Sequence, residues 1–317
     1  MKKLLNLLLC FGLTGLLIVG CNNGNNPQNP NQQQTQKIKQ IKNLGKPDLS
    51  KEKVSSKFTE MPTALNDIAI YEAQKIINEQ SKNTATSKNK LIQKLRRKDF
   101  TEEQAKYGVE NSGVDFYLQA YKYADNECNK SHGISKKKLE EELKKEEFSD
   151  DEIAYALQYC TPDWKQQAIK RAKSVTGYNA SVPQSKPDLK ETLMKYGLFT
   201  EEEAIYAIEN AKIDWLEQAK KHVKARLTSK VSADSYETLK ENMEKHEYAP
   251  EDIETALKII TEDDWNKQAL KVANSYIKLN SGIFKSDKKE QAEKFMVENL
   301  KFTPSQAKYA IEHADWK

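Results

Sequence analysis

The residues of this sequence that could do chemistry are its four cysteines, four histidines, four tryptophans and many carboxylates. Their spacing argues mostly against catalysis. His132, His222, His246 and His313 are scattered and form no HExxH-type pair, so surface histidines are expected and a metal is not. No glycine-rich phosphate loop and no G-x-S-x-G turn occurs. The acids lie in mixed charged runs, and no acid/base pair stands out. The chain is therefore expected not to be an enzyme and to need no cofactor. The cysteines are more informative. Cys21 directly follows an apolar run and a small residue. Cys128 and Cys160 could be joined as a disulfide in an exported chain, or stay two independent half-buried thiols. Trp164, Trp215, Trp265 and Trp316 each follow an aspartate. They could be stacking platforms for a ligand, but their fixed place makes inter-helix core the expected role.

The elements that would carry these residues begin with an address. Lys2 and Lys3 precede an apolar stretch from Leu4 to Val19, the layout of an export signal. Its end, Ile18-Val19-Gly20-Cys21, resembles a bacterial lipobox, which implies cleavage after residue 20 and a lipid thioether on Cys21. Several acyl chains anchor far better than one, at about 0.8 kcal/mol per buried methylene. Residues 21–61 are assigned to a lipidated, disordered tether, Asn/Gln-rich at its start and carrying Pro27 and Pro30. No later segment approaches the roughly 18 consecutive apolar residues of a spanning helix.

Beyond the tether, one pattern recurs five times. The copies start at Phe100, Phe148, Phe199, Tyr248 and Phe302, with spacings of 48, 51, 49 and 54. Thr101, Ser149, Thr200 and Thr303 stand where a helix N-cap belongs, with Gln104, Glu152, Glu203 and Gln306 three residues on. That spacing predicts a capping box in four copies, and the aromatic before it a hydrophobic staple. The fourth copy has Ala249 at the cap, so its helix start is expected to be weakest, by about 1 kcal/mol. Within the helix a Tyr-small-aliphatic triplet follows, with Tyr107, Tyr155, Tyr206 and Tyr309 expected on the core stripe and Thr255 replacing Tyr in the fourth copy. An Asp-aromatic pair comes next, then a helix with small residues at i, i+4: Ala69/Ala73, Ala120/Ala124, Ala168/Ala172, Ala219/Val223 and Ala269/Ala273. A shorter helix is marked by Leu91/Leu95, Leu139/Leu143, Leu189/Leu193 and Leu239/Met243, with its fifth copy blurred around Ala292 to Val297.

No stretch alternates with period 2 for long enough to argue a strand. The fold class is all-α: a tandem array of about five three-helix, helix-turn-helix-like units of about 50 residues. The assigned boundaries are 1–20 for the signal and 21–61 for the tether. The units follow at 62–114, 115–162, 163–213, 214–263 and 264–317.

The pattern [FY]-T-x-E-[EQ]-A-x-Y-A-[IVL]-E-N, then D-W, then Q-A-x-x-x-A, resembles the Ltp-like host cell surface-exposed lipoproteins. Its best copy here is FTEEEAIYAIENAKIDWLEQAKKHV, Phe199 to Val223. The resemblance implies a lipid-anchored protein on the outer face of the bacterial cytoplasmic membrane. It also implies superinfection exclusion, in which a prophage-encoded protein keeps a second phage from passing its DNA into the host. The implied partners are the membrane, through the anchor, and a phage injection component such as a tape measure protein. Five units where such proteins carry two leave a second reading, a bacterial surface binding or adhesion lipoprotein that uses the units as a multivalent array.

Charge and composition bear on the partner class and on disorder. The balance of 51 basic and 47 acidic residues gives +4, and arginine occurs only at Arg96, Arg97, Arg171 and Arg226. Lysine dispersed among acids makes a solvated helix surface. With an acidic FTEEEAIYAIEN helix and an export signal, no nucleic-acid partner is expected. Mean hydropathy is −0.83, yet 14 Tyr, 9 Phe and 4 Trp are too many aromatics for a disordered chain.

Overall fold

Most helices of this protein start where a side-chain oxygen receives the first orphan N–H groups. The computed structural model describes residues 44–279 and 285–316. The signal peptide, Cys21 and the tether up to residue 43 lie outside the described residues. Among the described residues the secondary structure is helical and no strand occurs. The units are α1–α3 (Leu65–Glu79, Lys88–Arg96, Glu102–Glu110), α4–α6 (Phe116–Asn129, Lys136–Lys145, Asp150–Tyr159) and α7–α9 (Trp164–Thr176, Lys186–Glu191, Glu201–Asn210). The last two are α10–α12 (Trp215–Thr228, Tyr236–Lys245, Pro250–Leu257) and α13–α15 (Glu262–Leu279, Lys285–Lys294, Pro304–His313).

The caps explain the helix starts. Capping boxes form at Thr101/Gln104, Ser149/Glu152, Thr200/Glu203 and Thr303/Gln306, while Ala249 offers α12 no side-chain bond. Asp115, Asp163 and Asp214 cap the first helices of units two to four. The fifth differs: Asp264 sits inside α13 and bonds back to Thr261, whose hydroxyl accepts the Asp264 N–H at 3.2 Å, so that helix starts earlier. Second helices share a serine cap, Ser87, Ser135, Ser185 and Ser235, each about 1% exposed.

Packing follows the small residues. In each unit the first helix packs chiefly on the third, and the second helix drives two apolar residues between them. The paired alanines of the first helices (with Val223) and the paired leucines of the second (with Met243) are fully buried. The fifth second helix is not blurred in space, since Ala292 and Met296 are both at 0% exposure. The triplet's small residue permits the contact. A Cβ on Gly108 would lie 2.7 Å from the Ala69 backbone. The tyrosines beside it correct the expected stripe. Tyr155 is buried, but Tyr206 and Tyr309 are half-buried and Tyr107 is 43% exposed. A 3.6-residue period carries the residue before the small one onto the flank.

The staple aromatics Phe148, Phe199, Tyr248 and Phe302 are buried, and Phe100 is half-buried. Each follows a non-glycine residue with positive φ: Asp99, Glu147, Leu198, Glu247 or Lys301. In the last four copies the aromatic N–H closes on a buried apolar residue of the second helix, as from Phe148 to the Leu143 carbonyl at 3.2 Å. The third and fifth copies hold one extra residue before the aromatic. It is absorbed as a π turn, Thr192–Tyr196 and Phe295–Asn299, and the closing bonds survive at 3.1 and 3.0 Å. This accounts for part of the longer 51 and 54 spacings.

The tether assigned to 21–61 is corrected from Gly45 onward. Val54 exchanges both backbone hydrogen bonds with the Asn78 side chain at 2.9 Å and packs on the first core. Glu52 pairs at 2.7 Å with Lys122, itself only 3% exposed, and Tyr155 donates to the Gly45 carbonyl. This strap joins units one and two through single polar contacts, which leave no periodic signature in sequence.

Two expectations test the packing. Gly108→Ala should cost about 1–3 kcal/mol in denaturant unfolding, because the new methyl meets backbone. Trp265→Ala should cost about 3–5 kcal/mol, and Trp215→Ala clearly less, because Trp265 is 6% exposed and Trp215 only half-buried.

Candidate functional site at the unit joints

The joints between units are built by a glutamine that the sequence pattern contains without explaining. Gln119, Gln167, Gln218 and Gln268 each precede the first small residue of a first helix and are between 1% and 4% exposed. Gln167 Nε2 donates to the Cys128 carbonyl at 2.9 Å, and its Oε1 accepts from Ile134 N–H at 3.3 Å. Gln218 does the same with the Thr176 carbonyl at 2.9 Å and Gln184 N–H at 3.1 Å. Gln268 reaches the Leu227 carbonyl, and Gln119 accepts from Thr86 N–H and from Gln80. A lysine three residues on adds a charge to the same helix end. Lys221 donates to the Gly177 carbonyl at 2.8 Å and Lys271 to the Leu227 carbonyl at 2.7 Å. A helix C-terminus has unpaired carbonyls and a negative dipole end, so units three, four and five each cap the first helix of the unit before. Gly133, at φ +66°, lets the second joint close, since a Cβ there would lie 2.1 Å from the Gln167 carbonyl oxygen.

The aromatic of each Asp-aromatic pair also serves the preceding unit. Phe116, Trp164, Trp215 and Trp265 pack on the cores of units one, two, three and four respectively. The Trp316 indole N–H donates to the Ile311 carbonyl at 2.7 Å over a small cluster of its own.

Whether a tryptophan is covered depends on the residue after the serine cap. At the fourth joint that residue is Tyr236, which stands edge-on to Trp265 at 6.1 Å. At the second and third joints it is Lys136 or Lys186, and grooves remain. One, of about 450 Å³, is lined by Lys136, Trp164, Leu198, Phe199 and Glu203. The other, of about 500 Å³, is lined by Lys186, Trp215, Tyr248, Glu251 and Asp252. Lys186 Nζ lies 5.7 Å from the Trp215 ring centre. Burial, together with Glu251 and Asp214, raises the Asp252 carboxyl above its ordinary value. Trp164 and Trp215 thus combine core with surface, each half-buried in an amphipathic groove.

The histidines are less scattered in space than in sequence. The His222 and His246 rings lie 5.2 Å apart, tilted by 58°, and His246 Nδ1 lies 2.9 Å from Asp188 of unit three. His222 bonds to Asn242 at 2.8 Å and stands edge-on to Tyr248. His132 is exposed, and His313 stacks on Tyr309. Among the described residues no three His, Cys, Asp or Glu side chains gather as metal ligands. No described helix is long and apolar enough to cross a membrane. Cys128 and Cys160 are buried thiols with sulfurs 3.2 Å apart.

Residues 163–211, which span the third unit, match the family model described as host cell surface-exposed lipoprotein. No curated protein and no solved structure matches the chain.

Burial lowers the His222 pKa, aided by the positive charges of His246 and Arg226 and opposed by Asn242 and Asp188. The unfolded chain therefore holds this proton more tightly. Stability should be complete above about pH 6.5, the ordinary histidine value, and fall as pH drops below it. Denaturant midpoints measured from pH 7.5 to 5.5 should decline, and His222→Gln should flatten that slope.

Proposed function

We propose that this protein is a lipoprotein anchored by lipid to the outer face of the bacterial cytoplasmic membrane, and that it acts by binding protein, without covalent chemistry. Cys21 holds it to the membrane, and the joints present the binding surface. The observation that carries the reading is the match of the third unit to a surface-exposed lipoprotein family. The specific activity proposed is superinfection exclusion: the array captures a component of the phage injection apparatus, such as a tape measure protein, and keeps phage DNA out of the host. The half-open Trp164 and Trp215 grooves are suited to this, because each offers an aromatic face, a lysine and carboxylates to one peptide segment.

A second reading draws on the recurrence of the groove at successive joints. A repeated surface gains avidity by about 10²–10⁴ when its partner is also repetitive, which suits a bacterial surface binding or adhesion lipoprotein.

A phage challenge of cells making the full chain separates the two. Exclusion predicts normal adsorption with DNA injection blocked, and loss of that protection in Cys21→Ser. Normal injection across a broad phage panel would overturn exclusion and leave the adhesion reading.

A further inference from the structure

Unit two holds a pair of side chains that the binding role does not use. Cys128 lies at the end of α4 and Cys160 caps the end of α6; both are 5% exposed. Their sulfurs are 3.2 Å apart, so the two helix ends already meet with the thiols facing. No other described unit has a cysteine at these places.

The position of the pair gives it a consequence. The Cys128 carbonyl is the acceptor for Gln167 and Lys170, the clamp between units two and three. Cys160 stands three residues before Asp163, the cap of α7, which carries that same Gln167. A bond between the sulfurs would therefore run parallel to the clamp and close one ring through both units. The lysine arm of the clamp is longest at this joint: Lys170 lies 3.4 Å from its carbonyl, against 2.8 Å for Lys221 and 2.7 Å for Lys271, while the glutamine arm is 2.9 Å at all three.

We propose that Cys128 and Cys160 form a disulfide by thiol–disulfide exchange and that this bond fastens the joint between units two and three. The oxidant is a disulfide RS–SR, either a small molecule such as oxidised glutathione or an exported oxidoreductase. The Cys160 thiolate attacks one sulfur, and RS⁻ leaves and takes up a proton as RSH. Cys128 then loses its proton and attacks the Cys160 sulfur, expelling the second RS⁻, which is protonated in turn. Two cysteine thiols are oxidised and one RS–SR is reduced to two RSH. Donation from Cys128 pulls the Cys160 thiol below its usual value, and the same hydrogen bond, with burial, pushes Cys128 up, so the first thiolate falls on Cys160.

The source of the oxidant rests on the export reading, but the pair itself does not. The test therefore uses full-length protein extracted from membranes in detergent, reduced, freed of reductant, and treated with oxidised glutathione. Peptide mapping should recover Cys128 and Cys160 as one linked peptide, and Cys160→Ala should leave no link. Amide exchange over residues 128–134 should slow by at least about tenfold in the oxidised form. Glutathione adducts on both cysteines without a link would overturn the site. A link with unchanged exchange would overturn the fastening of the joint. If the pair links in vitro but is reduced in protein taken directly from cells, the site stands and the export reading fails. Cys21 reports on that reading separately, since a lipidated Cys21 takes no glutathione.

Discussion

The last three joints depend on one interaction, a buried glutamine amide that closes the open end of the preceding unit's helix. A helix of 13 or 14 residues, such as α4, α7 or α10, leaves four carbonyls without intrahelical partners. In this protein the next unit meets one or two of them, where leaving one unpaired would cost about 1–3 kcal/mol. Gln167 and Gln218 answer with both amide groups, donating to the carbonyl and accepting from the N–H ahead of the next serine cap. Losing the following unit would thus strand polar groups as well as apolar surface, which couples each unit to its neighbour.

The apolar contribution follows the same direction. Each unit buries a thin core, a pair of small residues facing a pair of leucines or their substitutes. The opening at its end is plugged by the first aromatic of the next helix. Stability then has a nearest-neighbour character, as expected of quasi-one-dimensional arrays. The first and fifth units carry contacts of their own. The strap lies on the first unit through Val54 and reaches the second through Glu52. In the fifth, Trp316 folds back onto Ile311.

Binding capacity is a by-product of how well each plug is covered. With Tyr236 beside it, Trp265 is core; with Lys136 or Lys186 in the same place, Trp164 and Trp215 border grooves. One residue per unit decides between a sealed joint and an open one, so units of similar sequence can differ in what they present. The His222–His246 pair, the Cys128–Cys160 pair and the two grooves all lie at or beside joints, where side chains are freed from the repeating core.

The sequence by itself determined the local structure, because local structure rests on short-range rules. Capping boxes at Thr101, Ser149, Thr200 and Thr303, the uncapped Ala249, and the i, i+4 pairs of alanine and leucine are contacts within four residues. They repeat, and repetition made them readable. Only the tertiary structure decided what crosses between units. Gln167 could be read as part of a Q-A-x-x-x-A motif, but its partner lies 39 residues back, and no local pattern encodes that distance. The strap carries no period, so it read as tether. The meeting of His246 with Asp188 and the open or closed state of each tryptophan depend on how one unit turns against the next. That turn is set by buried polar bonds and close backbone approach, as at Gly133, and by no single residue type at a fixed spacing.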